Sequence, residues 1–139
     1  THSDPFFADF IEFWKDLAVA AEGVPFKQSM NPMRIPKLLP NIYILERTSG
    51  VSSEIRLTGT GLDIVVANRF SPASTFDAFT ETDWQHYNQY MDMLFSGPYG
   101  AWGIRRYHLE NDDIYDAESV TLPLKGRDGS NRYVIGYMK

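Results

Sequence analysis

Residues 115–138 read YDAESVTLPLKGRDGSNRYVIGYM. Two runs rich in Val, Thr, Leu, Ile and Tyr flank Arg127-Asp128-Gly129-Ser130, and Asp-Gly between such runs is the strong short-range signal for a hairpin. Strands are therefore predicted over about 115–125 and 132–138. The run from Gly100 to Leu109 supplies a strand before them, with Glu110-Asn111-Asp112-Asp113 as the intervening turn.

Moving upstream, a long helix is predicted over about 81–95, ended by Ser96-Gly97-Pro98. At about 100° per residue, Trp84, Tyr87, Met91, Leu94 and Phe95 fall on one arc with Tyr90 at its margin, and this face must be covered. Ser71-Pro72-Ala73-Ser74-Thr75 reads as loop, with a short turn around 76–79. Thr60-Gly61-Leu62-Asp63 has capping-box spacing with Asp in place of Glu, so a short helix should begin there, followed by the apolar Ile64, Val65 and Val66. Residues 41–48 and 54–60 form a hairpin-like strand pair around Ser49-Gly50-Val51-Ser52-Ser53.

Three prolines at positions 32, 36 and 40 make the preceding stretch a rigid connector, since each removes a donor and restricts the residue before it. Its Ile35, Leu38 and Leu39 are expected to face the core. At the N-terminus, Asp4-Pro5 signals a helix start and Gly23 with Pro25 a stop, Gly23 accepting the left-handed cap, which predicts a helix over 5–22. Phe6, Phe10, Phe13, Trp14, Leu17 and Ala21 recur at helical spacing, and Phe7, Ile11 and Ala18 widen the stripe. So broad an apolar face either docks on its own domain or packs in part against a second subunit or a partner.

The chain has 139 residues, 43% hydrophobic and 22% charged, with 9 Phe, 8 Tyr and 3 Trp, which excludes general disorder and suits one domain's worth of core. Its 13 Lys and Arg against 18 Asp and Glu leave a net charge of −5, the wrong balance for a surface that tracks nucleic-acid phosphates. Zero cysteines remove disulfides, thiolate metal sites and a Cys nucleophile. No window approaches the length of a membrane span and no signal peptide pattern stands at the N-terminus, so a cytoplasmic protein is expected.

Candidate chemistry is sparse. His2, His86 and His108 have no second His at ligand spacing, so no metal site is expected. His86, on the long helix, is the candidate haem ligand, but its angle off the apolar arc argues against that role. The acidic turn at 110–113 lacks a calcium-loop pattern, Thr58-Gly59-Thr60-Gly61 is only half of a dinucleotide fingerprint, and no serine elbow is present. What remains is an apolar and aromatic strand face and helix face with Arg56, Arg105, Tyr107 and Ser119 interspersed. That is the composition of a small-ligand cavity and equally of a filled core.

The element order helix, strand pair, short helices, long helix, three strands resembles the PAS sensory fold. The segments Phe13-Trp14, Gly23-Val24-Pro25, Asn31-Pro32 through Leu38-Leu39-Pro40, Ile55-Arg56-Leu57-Thr58-Gly59-Thr60, Leu122-Pro123-Leu124 and Asp128-Gly129 are similar to a short bacterial PAS subfamily that begins with an aromatic helix. The resemblance implies an α+β fold: a five-stranded antiparallel sheet with short helices and one long helix on one face, plus the N-terminal amphipathic helix. It divides the chain into a helix and linker over 1–30 and a PAS-like domain over 31–139.

It further implies a non-enzymatic sensory or regulatory module that binds a small molecule or a protein partner and acts through dimer or partner contacts. Carried onto this chain, the ligand site comprises Tyr87, Met91 and Leu94, with Tyr90 at their margin, opposite Arg56, Trp102, Ile104 and Ser119. The dimer or partner interface comprises Phe6, Phe7, Phe10, Ile11 and Trp14. A homodimer is expected, with no nucleic acid and no membrane. No cofactor or metal is carried over: the reactive cysteine of flavin-binding PAS photoreceptors is absent, so that photochemistry is out, and the angle of His86 argues against the haem held by a long-helix histidine in other PAS domains. Two other readings stay open. One is a nuclear-transport-factor-like α+β enzyme with Asp116 or Glu118 as base. The other is a structural adaptor with a filled core.

Overall fold

The predicted strands form one sheet. The computed structural model describes residues 5–48, 53–62, 81–96, 100–108 and 114–139. In it β1 (Ile42–Arg47), β2 (Ser53–Thr58), β3 (Ala101–His108), β4 (Ile114–Leu124) and β5 (Tyr133–Met138) pair antiparallel in the order β2-β1-β5-β4-β3. Among the described residues two α-helices accompany it, α1 (Phe6–Ala21) and α2 (Glu81–Ser96). The expected Asp4 cap, the turns at 49–52 and 110–113, the helix beyond Leu62, the 71–79 stretch and the Gly97-Pro98 stop lie outside the described residues. So do the side chains of Trp84, Tyr87, Arg105, Tyr107 and His108.

Alternation along the strands divides the sheet into two faces. Ile42 and Ile44 of β1 pair with Tyr137 and Ile135 of β5, which pair in turn with Val120 and Leu122 of β4. This outer face carries α1: Phe7 and Phe10 are 0% exposed and join Ile42, Ile44, Val120, Leu124, Ile135 and Tyr137 in one cluster. Phe7 meets the Tyr137 ring edge-on at 4.9 Å between centroids. Ile35 and Leu38 of the proline-rich connector are buried in the same cluster, as expected.

The opposite, inner face carries α2. Met91, Leu94 and Phe95 pack on Val134, with Leu45, Tyr90 and Ala101 around them. Arg47 closes the margin: its guanidinium donates to Asp92 at 2.5 Å and lies 5.5 Å from the Phe95 ring centroid.

Pro123 sits within β4 because its nitrogen faces an open edge. The register pairs it with Val134, while β3 begins only opposite Thr121, and its carbonyl accepts from Trp14 Nε1 at 2.9 Å on that uncovered side. Further along the same edge, Phe26 forms a parallel bridge with Lys125, with Lys27 N donating to Lys125 O and Lys125 N to Pro25 O, both at 2.8 Å. The chain after α1 thus covers what β3 leaves open.

Helix α1 ends one residue earlier than Gly23 suggests. Glu22 takes the left-handed position at φ 56°, and the bonds Gly23 N to Ala18 O and Glu22 N to Val19 O are those of a Schellman cap. Gly59, in the Thr58-Gly59-Thr60-Gly61 stretch, owes its identity to crowding: a Cβ there would lie 2.2 Å from Leu39 O and 2.3 Å from Pro40 O. The stretch accordingly forms a short 3-10 turn over Thr60–Leu62 against the connector.

Candidate functional site

The inner face between α2 and the sheet holds a hydroxyl cluster bounded by apolar side chains. Tyr43 lies directly across from Gly136 in the β1–β5 ladder, and Gly136 faces Thr121 in the next. With no side chain on residue 136, the tyrosine reaches across β5 to β4, where its hydroxyl bonds Ser119 Oγ at 2.8 Å and Thr121 Oγ1 at 2.5 Å. Both partners are buried. To one side Leu62, Ala117 and Met138 cluster with Tyr43. To the other stand the α2 residues Met91, Leu94 and Phe95.

Two further features mark this face. Gly103 pairs with Ser119 across the β3–β4 ladder and turns its missing side chain inward, and no described atom lies within 4 Å of where its Cβ would be. Asn88, three residues before Met91 on α2, has its Oδ1 buried with no hydrogen-bond partner. Few buried polar atoms in a folded protein lack one.

Of the residues expected to bind a ligand, Met91, Leu94, Tyr90 and Ser119 come together on this face, and Tyr87 is on α2 with its side chain outside the described residues. Trp102 and Ile104 do not join them. Each pairs with an outer-face residue, Val120 and Glu118, and they are 52% and 69% exposed on the far side of the sheet. Arg56 is also on the outer side. It sits at a bulge, where the register passes from Ile44↔Leu57 to Leu45↔Ile55, and its guanidinium bonds Glu46 through Nε at 2.7 Å and Nη2 at 2.5 Å. Strand parity, which the register fixes, separates these three from α2.

Of the expected interface residues, Phe7 and Phe10 are completely buried in the chain's own core, which corrects their assignment, while Phe6, Ile11 and Trp14 pack beside them and are only partly buried. His86 is exposed on α2.

Sequence reading passed over Asn88, Tyr43 and Glu46. Glu46 is 8% exposed in the outer set Ile42, Ile44, Glu46, and is held by Arg56 and by Arg132 Nε at 3.2 Å. The hydrogen bond from Arg56 holds its carboxyl below the usual glutamate range, against the opposing effect of burial. The available signal was a lone charge in an otherwise apolar period-two series. For Asn88 it was an amide on the apolar arc of a helix.

A family model for the PAS domain matches residues 3–139. The chain belongs to the PAS domain family. The α+β architecture expected for it is the one observed, with the two long helices on opposite faces of the sheet. Among solved structures, the PAS chain is similar to the crystal structure of a Rhodobacter sphaeroides LOV protein, with TM-score 0.45 and 13% identity over 79% of this chain and 68% of that one. It is also similar to the structure of a point variant of RsLOV, with TM-score 0.44 and 11% identity over 79% of this chain and 69% of that one. A comparison with curated proteins gives no match.

PAS domains are generally sensory, non-enzymatic modules, and they commonly bind ligands and mediate dimer or partner contacts. The two carboxylates weighed as an enzymatic base lie on the outer face: Asp116 is exposed, and Glu118 accepts from Trp102 Nε1 at 2.8 Å. No described helix of this PAS domain is long and apolar enough to cross a membrane.

Proposed function

We propose that this PAS domain is a sensory module that takes a small molecule between α2 and the inner sheet face and reports its presence through contacts with another chain. The observation that supports the reading is the contrast between the two faces. The outer face is filled by phenylalanines of α1, whereas the inner face carries a hydroxyl cluster, a glycine with no described atom within 4 Å of its Cβ position, and a buried amide oxygen without a partner. A few fixing polar groups within an apolar lining are what a small-ligand site needs.

The test is native mass spectrometry of the purified chain beside its Gly103→Leu variant. An added mass retained by the parent and lost from the variant is expected. A parent that carries no small molecule and gains no thermal stability from any member of a metabolite panel would overturn the reading.

Contact with a second copy of the chain is the second part of the proposal. Exposed Trp102 and Ile104 on the outer face of the edge strand β3 favour it, since large apolar side chains adjacent on one strand face mark association surfaces. Sedimentation should show a dimer that Ile104→Lys weakens while thermal stability holds; a monomer at all concentrations would refute it.

A further inference from the structure

We infer that the molecule held on the inner face is largely apolar, carries no positive charge, and donates a hydrogen bond to Oδ1 of Asn88. This rests on the sensory reading above and gives it a ligand chemistry. Asn88 precedes Met91 by three residues and Phe95 by seven, which at 100° per residue sets it about 60° from the first and about 20° from the second around the α2 axis. Both of those side chains are buried against the sheet, so Asn88 belongs to the same inward arc.

Among the described residues, Asn88 Oδ1 is the buried side-chain polar atom that lacks a hydrogen bond. An amide oxygen in this state has given up its water for nothing, so a native fold keeps it only where something else serves it. It can only accept, and therefore calls for a donor. The hydroxyls of Tyr43, Ser119 and Thr121 are engaged with one another. Charge complementarity sets the rest of the class. Of the described carboxylates along β1 and β4, Glu46, Asp116 and Glu118 all lie on the outer face, and Arg47 at the inner margin is paired with Asp92. A cation entering this face would be desolvated against Met91, Leu94 and Phe95 with none of these carboxylates facing it, whereas a neutral donor loses little.

A matched pair of probes tests this on the full chain. Indole and benzothiophene have nearly the same shape and apolar surface, and only indole carries an N–H. Titration followed by thermal unfolding should show indole binding about tenfold more tightly than benzothiophene, as expected for one hydrogen bond to a buried acceptor. Asn88→Leu should erase that preference while leaving the binding of benzothiophene in place. Asn88→Ala gives the same reading should the leucine disturb folding. If both probes bind equally to the parent chain, or the preference survives in the variants, the oxygen is served by water or by the protein and the inference fails, with the sensory reading intact. If neither probe stabilises the parent chain, the inference fails, while the sensory reading stands or falls on the retained mass and the metabolite panel.

Discussion

The ring of Tyr43 lies where a Cβ on Gly136 would stand: that point falls 2.0 Å from its Cζ and 2.3 Å from its hydroxyl oxygen. This one absent side chain lets a residue of β1 pass over β5 and bond two hydroxyls of β4, tying three strands together on the face that α2 covers.

Gly136→Ala should therefore displace the ring and break both hydroxyl contacts, costing about 2 to 4 kcal/mol from overpacking and lost bonds together. Tyr43→Phe, which leaves Ser119 and Thr121 buried without their partner, should cost about 1 to 3 kcal/mol. In a Tyr43→Ala background the added cost of Gly136→Ala should shrink markedly, because the clash has gone. Urea unfolding of the four chains measures this, and additive losses would show that the contact does not hold the strands.

Phe10→Ala should destabilise the fold by about 3 to 5 kcal/mol, a large share of what a domain this size possesses, because the side chain is fully enclosed by its own sheet. Trp14→Phe should cost about 1 kcal/mol by leaving the Pro123 carbonyl without its donor. A lowered urea midpoint is the expected readout for both. Clean dissociation of a dimer with an unchanged midpoint would instead make the stripe a subunit contact.

Glu22→Gly should stabilise the chain by up to about 1 kcal/mol. A left-handed non-glycine residue costs roughly 1 to 2 kcal/mol, part of which glycine returns as unfolded-state entropy. Glu22 is exposed and its place in the Schellman cap depends only on backbone, so no side-chain contact is forfeited. A melting temperature equal to or below that of the parent would contradict this.

Acid sensitivity should centre on Glu46. Its carboxyl titrates lower in the folded chain than in the unfolded one, so its contribution is fully present above the ordinary glutamate value of about 4.3 and is lost as pH falls through the lower folded value. Asp128, held down by its hydrogen bonds from Ser130, acts in the same direction. The urea midpoint should be flat with respect to these two groups near neutrality and fall below about pH 4, and Glu46→Gln should flatten that fall while lowering the neutral midpoint. An unchanged acid slope in the variant would place the sensitivity elsewhere.

By itself the amino-acid order determined the elements and much of their ends. Helix periodicity placed α1 and α2 within a residue or two, Asp128-Gly129 placed the β4–β5 turn, and Gly23 with Pro25 marked the helix stop, because these signals act through backbone conformation a few residues away. Which face met which neighbour was decided by the tertiary structure alone. Both alternating sets of β4 are buried, Val120 and Leu124 on one side and Ser119, Thr121 and Pro123 on the other, so alternation there has no sign that says outward or inward. Only the pairing register, set across more than 70 residues between β1 and β4 by way of β5, put Tyr43 over Gly136 with Ser119 and sent Trp102 and Ile104 to the opposite face. The same holds for α1: its stripe announced that something covers it, and the sheet's own outer face turned out to be the cover.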